Sequence, residues 1–219
     1  MEQQGLINEM GRRSYGFGRW AAPYWFIGPE PGQSREENDD LSRRAEAWSY
    51  LGKLDLMDCR KFHEQIDELT LHRSRPRLQP TWRPLMLLLM NFLGEPSEPA
   101  DLRNYQRDKW GSLIGDTCVI ELSGLSANSF KVERDRKLFR EERIGVIRAK
   151  MLEYKPKFAV MYGKGAKHDW ELITDRPFPS ENVLRVGATI VAFMPHPTSH
   201  GTSNKEWIEL GKRLRLLGG

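Results

Sequence analysis

A single carboxylate on a stiff loop is the first feature of the sequence that could do chemistry. Glu30 is the middle residue of the Gly-Pro-Glu-Pro-Gly segment at 28–32, which directly follows an apolar run at 24–27. An apolar run that ends in glycine and proline predicts a buried strand entering a rigid turn. Ligands of α/β domains bind beyond the carboxyl ends of such strands. Glu30 is therefore a candidate site residue, and the alternative is an ordinary turn with a glutamate that faces solvent.

A histidine occupies a similar position in a second segment near the end of the chain. His196 follows the apolar run 191–194 and stands between Pro195 and Pro197. This pattern also predicts a strand that enters a rigid turn. Histidine exchanges protons near neutral pH. A carboxylate and an imidazole are therefore both expected at the mouths of strands.

Three segments, taken in order, resemble the motifs of the uracil-DNA glycosylase superfamily. The segment 28–32 fits its Gly-x-x-Pro-Gly motif, and the segment 196–199, His-Pro-Thr-Ser, is similar to its His-Pro-Ser motif. Between them, the segment 158–166 is similar to the family's strand followed by Gly-Lys-x-Ala. The resemblance extends from about Tyr24 to Leu214. It implies a three-layer α/β/α sandwich with a central, mainly parallel four-stranded sheet, and the activity of a DNA glycosylase, which is an N-glycosyl hydrolase.

The resemblance gives catalytic roles to Glu30 and His196. Hydrolysis of an N-glycosidic bond develops positive charge on the sugar and negative charge on the departing base. Glu30 would stabilise the sugar cation and orient or deprotonate the attacking water, and His196 would donate a hydrogen bond to the base carbonyl. The sequence leaves open whether His196 is neutral or protonated. The product would be DNA with an abasic site.

The resemblance also implies residues that hold an extruded pyrimidine nucleotide. Those expected around the base are Gly28, Pro29, Gly32, Trp48 and Glu121, and those expected around the phosphates are Lys164, Thr198, Ser199 and His200. Trp48 has an alternative interpretation, as a core residue of an amphipathic helix.

The base expected in the pocket depends on Glu121, because family members usually have an asparagine at the end of this strand. A carboxylate accepts from the amine of cytosine and repels the carbonyl of uracil. Gly32 stands where one family branch has a tyrosine that excludes substituents at the pyrimidine C5. Together these residues favour a C5-modified cytosine in foreign DNA, as in defence against phage. Three alternatives stay open: excision of uracil or another deaminated base in repair, an enzyme of free nucleotides or nucleosides, and a non-catalytic nucleic-acid-binding relative.

Two basic segments could contact nucleic acid. The Pro-rich loop 73–84 contains four arginines, of which Arg75 and Arg77 are expected to contact phosphates. Its alternative is a connector that only faces solvent. The segment 1–22 is interpreted as an N-terminal arm whose mixed aromatic and basic residues either stack on bases or pack on the core.

Charge and composition are compatible with DNA as the partner, whether single- or double-stranded. A chain of 219 residues with 39% hydrophobic residues suits one domain spanning 1–219,. The formal charge of +4 suits a polyanionic ligand,. No apolar run is long enough to cross a bilayer. We therefore expect a cytoplasmic monomer that does not contact a membrane.

Neither a cofactor nor a metal is expected. Cys59 and Cys118 are too few for the iron-sulfur cluster of one family branch, and we interpret them as reduced core thiols. His63 and His72 lie outside any recognisable metal-binding motif.

The hydrophobic pattern predicts the elements that position these residues. Apolar residues recur at helical spacing in five segments, 38–54, 57–71, 82–93, 133–154 and 203–217,. Besides the run before Gly28, short apolar runs predict strands at 116–122, 158–161, 183–186 and 189–193,. Strands that alternate with helices predict a parallel sheet with helices on both faces.

Overall fold

The structure, a computed structural model, describes residues 2–30, 37–125 and 133–218, without the side chains of 37–39 and 133–138. Gly32 lies outside the described residues. The helices are α1 Glu2–Arg13, α2 Glu37–Tyr50, α3 Cys59–Gln65, α4 Trp82–Leu93, α5 Pro99–Asp108, α6 Glu133–Tyr154, α7 Lys167–Thr174 and α8 Asn204–Gly218. The strands are β1 Gly16–Phe17, β2 Tyr24–Gly28, β3 Leu56–Met57, β4 Thr117–Glu121, β5 Phe158–Tyr162, β6 Val183–Val186 and β7 Thr189–Met194.

All seven strands form one mixed sheet in the order β3-β1-β4-β2-β5-β7-β6. The four central strands β4, β2, β5 and β7 are parallel, whereas β1 runs antiparallel to β4 and β6 runs antiparallel to β7. The predicted α/β class is confirmed, but the predicted four-stranded, mainly parallel sheet is wrong because the sheet has seven strands and is mixed. β1 and β3 have two residues each, so their sequences contain no alternation that could reveal them.

Helices pack against both faces of the sheet, because side chains alternate along its central strands. Tyr24 and Phe26 of β2 belong to a core cluster with apolar residues of α4 and α8. Trp25 and Ile27 belong to a second cluster with residues of α6 and α7. The central strands are thus buried on both faces, and only their ends are open to a ligand.

Three of the described helices, α1, α5 and α7, were not among the segments predicted from helical spacing. The helix α1 is polar, with only Leu6, Ile7 and Met10 packing toward a third core cluster beside α2, and α5 lies in a segment with few apolar residues. The predicted helix 57–71 is shorter than expected and ends at Gln65. The chain turns there because Asp67 adopts a left-handed conformation with φ of 58°,. The predicted helices 82–93 and 133–154 are confirmed with the same bounds.

The N-terminal segment is part of the fold. Tyr15 is buried in the core, and β1 pairs with β4 on one side and β3 on the other. Gly16 has φ of 132°, and a Cβ at this position would overlap the carbonyl oxygen of Val119. Only glycine allows this close approach. The structure agrees with the interpretation in which aromatic residues of this segment pack on the core.

No helix within the described ranges is long and apolar enough to span a membrane.

Candidate active site at the carboxyl ends of the parallel strands

Four sequence-predicted segments meet at one edge of the sheet. Because β2, β4, β5 and β7 are parallel, their carboxyl ends lie at the same edge. The loops that follow β2 and β4 run side by side, since Leu122 N–H donates to Gly28 O at 2.8 Å and Ser123 N–H donates to Pro29 O at 2.9 Å. The loops after β5 and β7 are joined in the same way, by Gly163 N–H and Met194 O at 3.0 Å.

Gly28 is the point of closest approach between these strand ends. A Cβ here would overlap the Tyr162 hydroxyl and lie 2.8 Å from Glu121 Oε2. Gly28 therefore brings the ends of β4 and β5 against the backbone of β2, which a larger residue would prevent. Tyr162 is not among the predicted site residues, although its place as the last residue of an apolar run, directly before Gly163, was an available signal.

Glu121 is a buried acid with an unsatisfied oxygen. Its Oε2 has no hydrogen-bond partner among the described residues. Burial raises the pKa of Glu121 to about 8, against the opposing effect of Arg143 and with a further rise from Glu30. At neutral pH the side chain is therefore mostly a carboxylic acid, which can both donate and accept a hydrogen bond.

A small cavity adjoins Glu121. Its volume is about 40 Å³, enough for water but not for a nucleobase. The wall is mainly apolar and aromatic, with polar groups from two serines and one arginine. Its side chains include Met10, Ser14, Tyr15, Phe17, Arg44, Met57, Phe62 and Ser123. The acid thus faces a mainly apolar cavity whose wall comes mostly from the N-terminal segment and from α2, β3 and α3.

His196 is held in one tautomer by its own turn. Thr198 N–H donates to His196 Nδ1 at 3.3 Å, and Thr198 Oγ1 lies 3.0 Å from the same nitrogen. A nitrogen that accepts from a backbone N–H carries no proton, so the proton of the neutral ring is on Nε2. Burial lowers the pKa of His196. The ring stacks edge-on against Tyr162 at a centroid distance of 5.4 Å. The imidazole is therefore neutral at pH 7, with Nε2–H as a donor.

The remaining residues expected near phosphates lie on the same turns. Ser199 Oγ donates to His196 O at 2.8 Å, so this hydroxyl stabilises the turn. Lys164, Thr198 and His200 are exposed, as a phosphate-binding role requires. Trp48, in contrast, is fully buried in the core, where its Nε1–H donates to Leu54 O at 2.8 Å. Trp48 is therefore a core residue, as in the alternative interpretation of its helix, and it does not line the cavity beside Glu121.

Arg143 is a buried residue that was not predicted from the sequence. It lies in α6, whose charges were interpreted as a solvated surface, yet its side chain is fully buried. Its guanidinium donates to two carbonyl oxygens of the β4 end, Glu121 O and Leu122 O, each at 2.7 Å. It also donates to Gly11 O at 3.1 Å and to Arg12 O at 3.2 Å. Arg143 thereby joins the end of α1 to the end of β4.

The Pro-rich basic loop lies apart from the strand ends. Arg75 and Arg77 are exposed around a groove of about 640 Å³, and every residue that lines it belongs to 74–77 or 100–104. The loop is held by the buried Gln106, which donates to Leu71 O at 2.9 Å and to Arg77 O at 3.0 Å. The arginines are therefore presented on a fixed backbone.

His63 and His72 lie outside any recognisable metal-binding motif in the sequence, but they are close together in the structure. The fold brings both of them to Cys59, within a buried cluster. The sequence does not indicate this cluster, because His72 is separated from α3 in the chain and lies beside it only after the intervening turn folds back.

Comparison of the sequence with protein-family models and with curated proteins finds no match. Function has to be inferred from the chemistry of the site itself.

Proposed function

We propose that the protein is a DNA glycosylase related to the uracil-DNA glycosylase superfamily, which hydrolyses the N-glycosidic bond of an extruded pyrimidine. The observation that carries this proposal is the neutral His196, whose Nε2–H donor is fixed at the same sheet edge as Glu30. A hydrogen-bond donor for the departing base and a carboxylate for the sugar are the two groups that the reaction needs.

The chemistry divides between the two residues. When the glycosidic bond breaks, its electron pair stays with the base, and His196 Nε2–H donates to the base oxygen on which negative charge develops. Glu30 faces the positive charge that develops on the sugar and accepts the proton of the attacking water. A neutral donor is sufficient here, because the base can leave as an anion that is protonated later by solvent.

Glu121 and the cavity beside it would recognise the base. A carboxylic acid can accept from the cytosine amine and donate to cytosine N3, or donate to uracil O4 and accept from uracil N3–H. Phe17 and Phe62 offer aromatic faces in the same cavity,. Since the cavity holds only about 40 Å³, base entry requires this wall to open.

A C5-modified cytosine is our first candidate for the excised base, and uracil is the second. The ionised Glu121 selects the cytosine amine, as the sequence predicts. The raised pKa of Glu121 favours the second candidate, because the neutral acid also fits uracil. We therefore expect the ratio of cytosine-type to uracil release to rise between pH 7 and pH 9, across the pKa of Glu121.

The test is release of free base from oligonucleotides carrying uracil, hypoxanthine or C5-modified cytosines, single- and double-stranded, followed by mass spectrometry. We expect Glu30→Gln and His196→Ala each to slow release on the best substrate by about 10²–10⁴-fold. The controls Glu95→Gln and His168→Ala change exposed residues to which we give no role in the reaction, and they should retain full activity.

Two results would contradict the proposal. If the wild-type protein binds DNA but releases no base from any oligonucleotide, the non-catalytic alternative is correct. If both site variants turn over as fast as the wild type, the roles given to Glu30 and His196 are wrong.

A further inference from the structure

Three side chains with metal-binding atoms meet inside the protein, away from the strand ends. Cys59 and His63 lie one turn apart on α3, and His72 follows the short helical turn Leu69–Leu71. All three residues are buried, and Cys59 Sγ, His63 Nδ1 and His72 Nε2 lie within 4.8 Å of one another. One thiol sulfur and two imidazole nitrogens thus lie close together in the interior.

The spacing of these atoms matches a tetrahedral zinc site. With Zn–N bonds of about 2.0–2.1 Å and Zn–S bonds of about 2.3 Å, tetrahedral angles place two nitrogen ligands about 3.3 Å apart and a nitrogen and a sulfur about 3.6 Å apart. His63 Nδ1 and His72 Nε2 are 3.2 Å apart, and Cys59 Sγ and His63 Nδ1 are 3.6 Å apart. The distances therefore allow an ion to contact these atoms once the hydrogen bond of His63 Nδ1 to Cys59 O is broken.

The surroundings of the cluster are buried and mainly aromatic. Aromatic rings enclose the cluster, with Phe17 5.6 Å and Trp82 5.7 Å from the His63 ring. A water-poor shell of this kind strengthens the attraction between a cation and a thiolate.

We propose that Cys59, His63 and His72 bind a Zn²⁺ ion, with a water molecule as the fourth ligand. On binding, Cys59 releases its thiol proton to solvent and becomes a thiolate. The Nδ1 proton of His63, now donated to Cys59 O at 2.7 Å, moves to Nε2, so that Nδ1 can bind the ion. His72 provides the lone pair of Nε2. This site is separate from the proposed glycosylase chemistry and does not depend on it.

The ion would determine how firmly the basic loop is attached. His72 is the residue directly before Arg73. Further anchors of the loop are Arg107, which donates to Ser74 O, and Gln106, which donates to Leu71 O and Arg77 O. Zinc bound to His72 would join the start of the loop to α3. Metal binding should therefore reduce local opening of the loop that carries the arginines.

The experiment uses the full chain after removal of metal with a chelator. Zn²⁺ is titrated by calorimetry, and Co²⁺ is used as a spectroscopic probe, because tetrahedral thiolate coordination gives intense visible and near-ultraviolet bands. We expect one ion per chain. At free Zn²⁺ of about 100 times the Kd, we expect a rise in Tm of about 5–10 °C. Trypsin cleavage after Arg73 and Arg77 should slow by about tenfold or more if opening of the loop requires release of the ion.

Cys59→Ser and His72→Gln should abolish the Co²⁺ thiolate spectrum, the Tm shift and the protection from trypsin. The matched controls Cys118→Ser and His168→Gln should leave all three unchanged. The wild-type spectrum does not depend on how the variants fold. Absence of tetrahedral thiolate bands in wild-type protein with excess Co²⁺, or a spectrum that Cys59→Ser does not change, would overturn the proposal.

Discussion

Arg143 and Glu121 are neighbouring buried ionisable residues whose environments differ in one respect. Arg143 donates to four carbonyl oxygens, and although burial lowers its pKa to about 10, it stays charged at pH 7. Glu121 keeps an oxygen with no partner among the described residues and a pKa raised to about 8. A buried charge that makes four hydrogen bonds supports the fold, whereas a buried acid oxygen without a partner is suited to an incoming ligand,.

The largest effect is expected from Arg143→Leu. Four buried carbonyl oxygens would lose their donor, so we expect the free energy of unfolding to fall by about 3–5 kcal/mol, measured by urea denaturation. Arg148→Leu is the matched control in the same helix, because Arg148 forms an exposed ion pair with Asp175 at 2.7 Å. Its substitution should change stability far less, since exposed ion pairs are weakened by solvent. Equal losses of stability in the two variants would show that the buried hydrogen bonds of Arg143 contribute no more to stability than the exposed ion pair of Arg148.

A smaller, pH-dependent effect is expected from Glu121→Gln. The folded protein holds a proton on Glu121 up to about pH 8, whereas the unfolded chain loses it at the ordinary pKa of 4.5. At this group the native state binds more protons in this window, so the contribution of Glu121 to stability falls as pH rises from 4.5 to 8,. Relative to wild type, Glu121→Gln should gain roughly 1–3 kcal/mol between about pH 5 and pH 9 in thermal unfolding. Glu95→Gln, an exposed control, should show no such gain, and a pH-independent difference for Glu121→Gln would mean that Glu121 is ionised in the native state.

The smallest effect on stability is expected from the exposed charges of the basic loop. Replacing Arg73, Arg75, Arg77 and Arg83 by alanine should change the free energy of unfolding by no more than about 0.5 kcal/mol per residue. DNA affinity should nevertheless weaken, and its log-log salt slope should fall by about one unit for each phosphate that the variant no longer neutralises. A Lys205→Ala, Lys212→Ala variant on the exposed face of α8 removes two charges and is the net-charge control for a double Arg75→Ala, Arg77→Ala variant. An unchanged salt slope in the quadruple variant would show that the loop does not contact DNA phosphates.

The parts of the fold that the sequence predicts are those with strong local signals. The helix 82–93 is almost entirely apolar and ends at Gly94, which takes the left-handed conformation at its C-cap,. The central strands are continuous apolar runs, as buried parallel strands require. The turns carrying Glu30 and His196 could be located because glycine and proline mark the ends of these runs.

The parts that the sequence does not predict depend on interactions between distant residues. Arg143 looks like any other charge on a long amphipathic helix, and only its distant carbonyl partners show that it is buried. Cys59, His63 and His72 become a cluster only when the turn after α3 folds back. Trp48 shows the reverse case, because helical spacing indicated a core residue and the structure places it in the core.

The bonds of Arg143 to Gly11 O and Arg12 O span 132 and 131 residues. This separation in sequence determines when these bonds to the end of α1 can form during translation. The carbonyls at the end of α1 leave the ribosome long before their donor is made. β1 likewise waits for β4, which begins about a hundred residues later. The contacts of α1 with α2 and of β1 with β3 can form early, whereas the bonds of Arg143 and the pairing of β1 with β4 form only after most of the chain has emerged. Protection of the N-terminal segment in a pulse-labelled nascent chain should therefore rise in two stages.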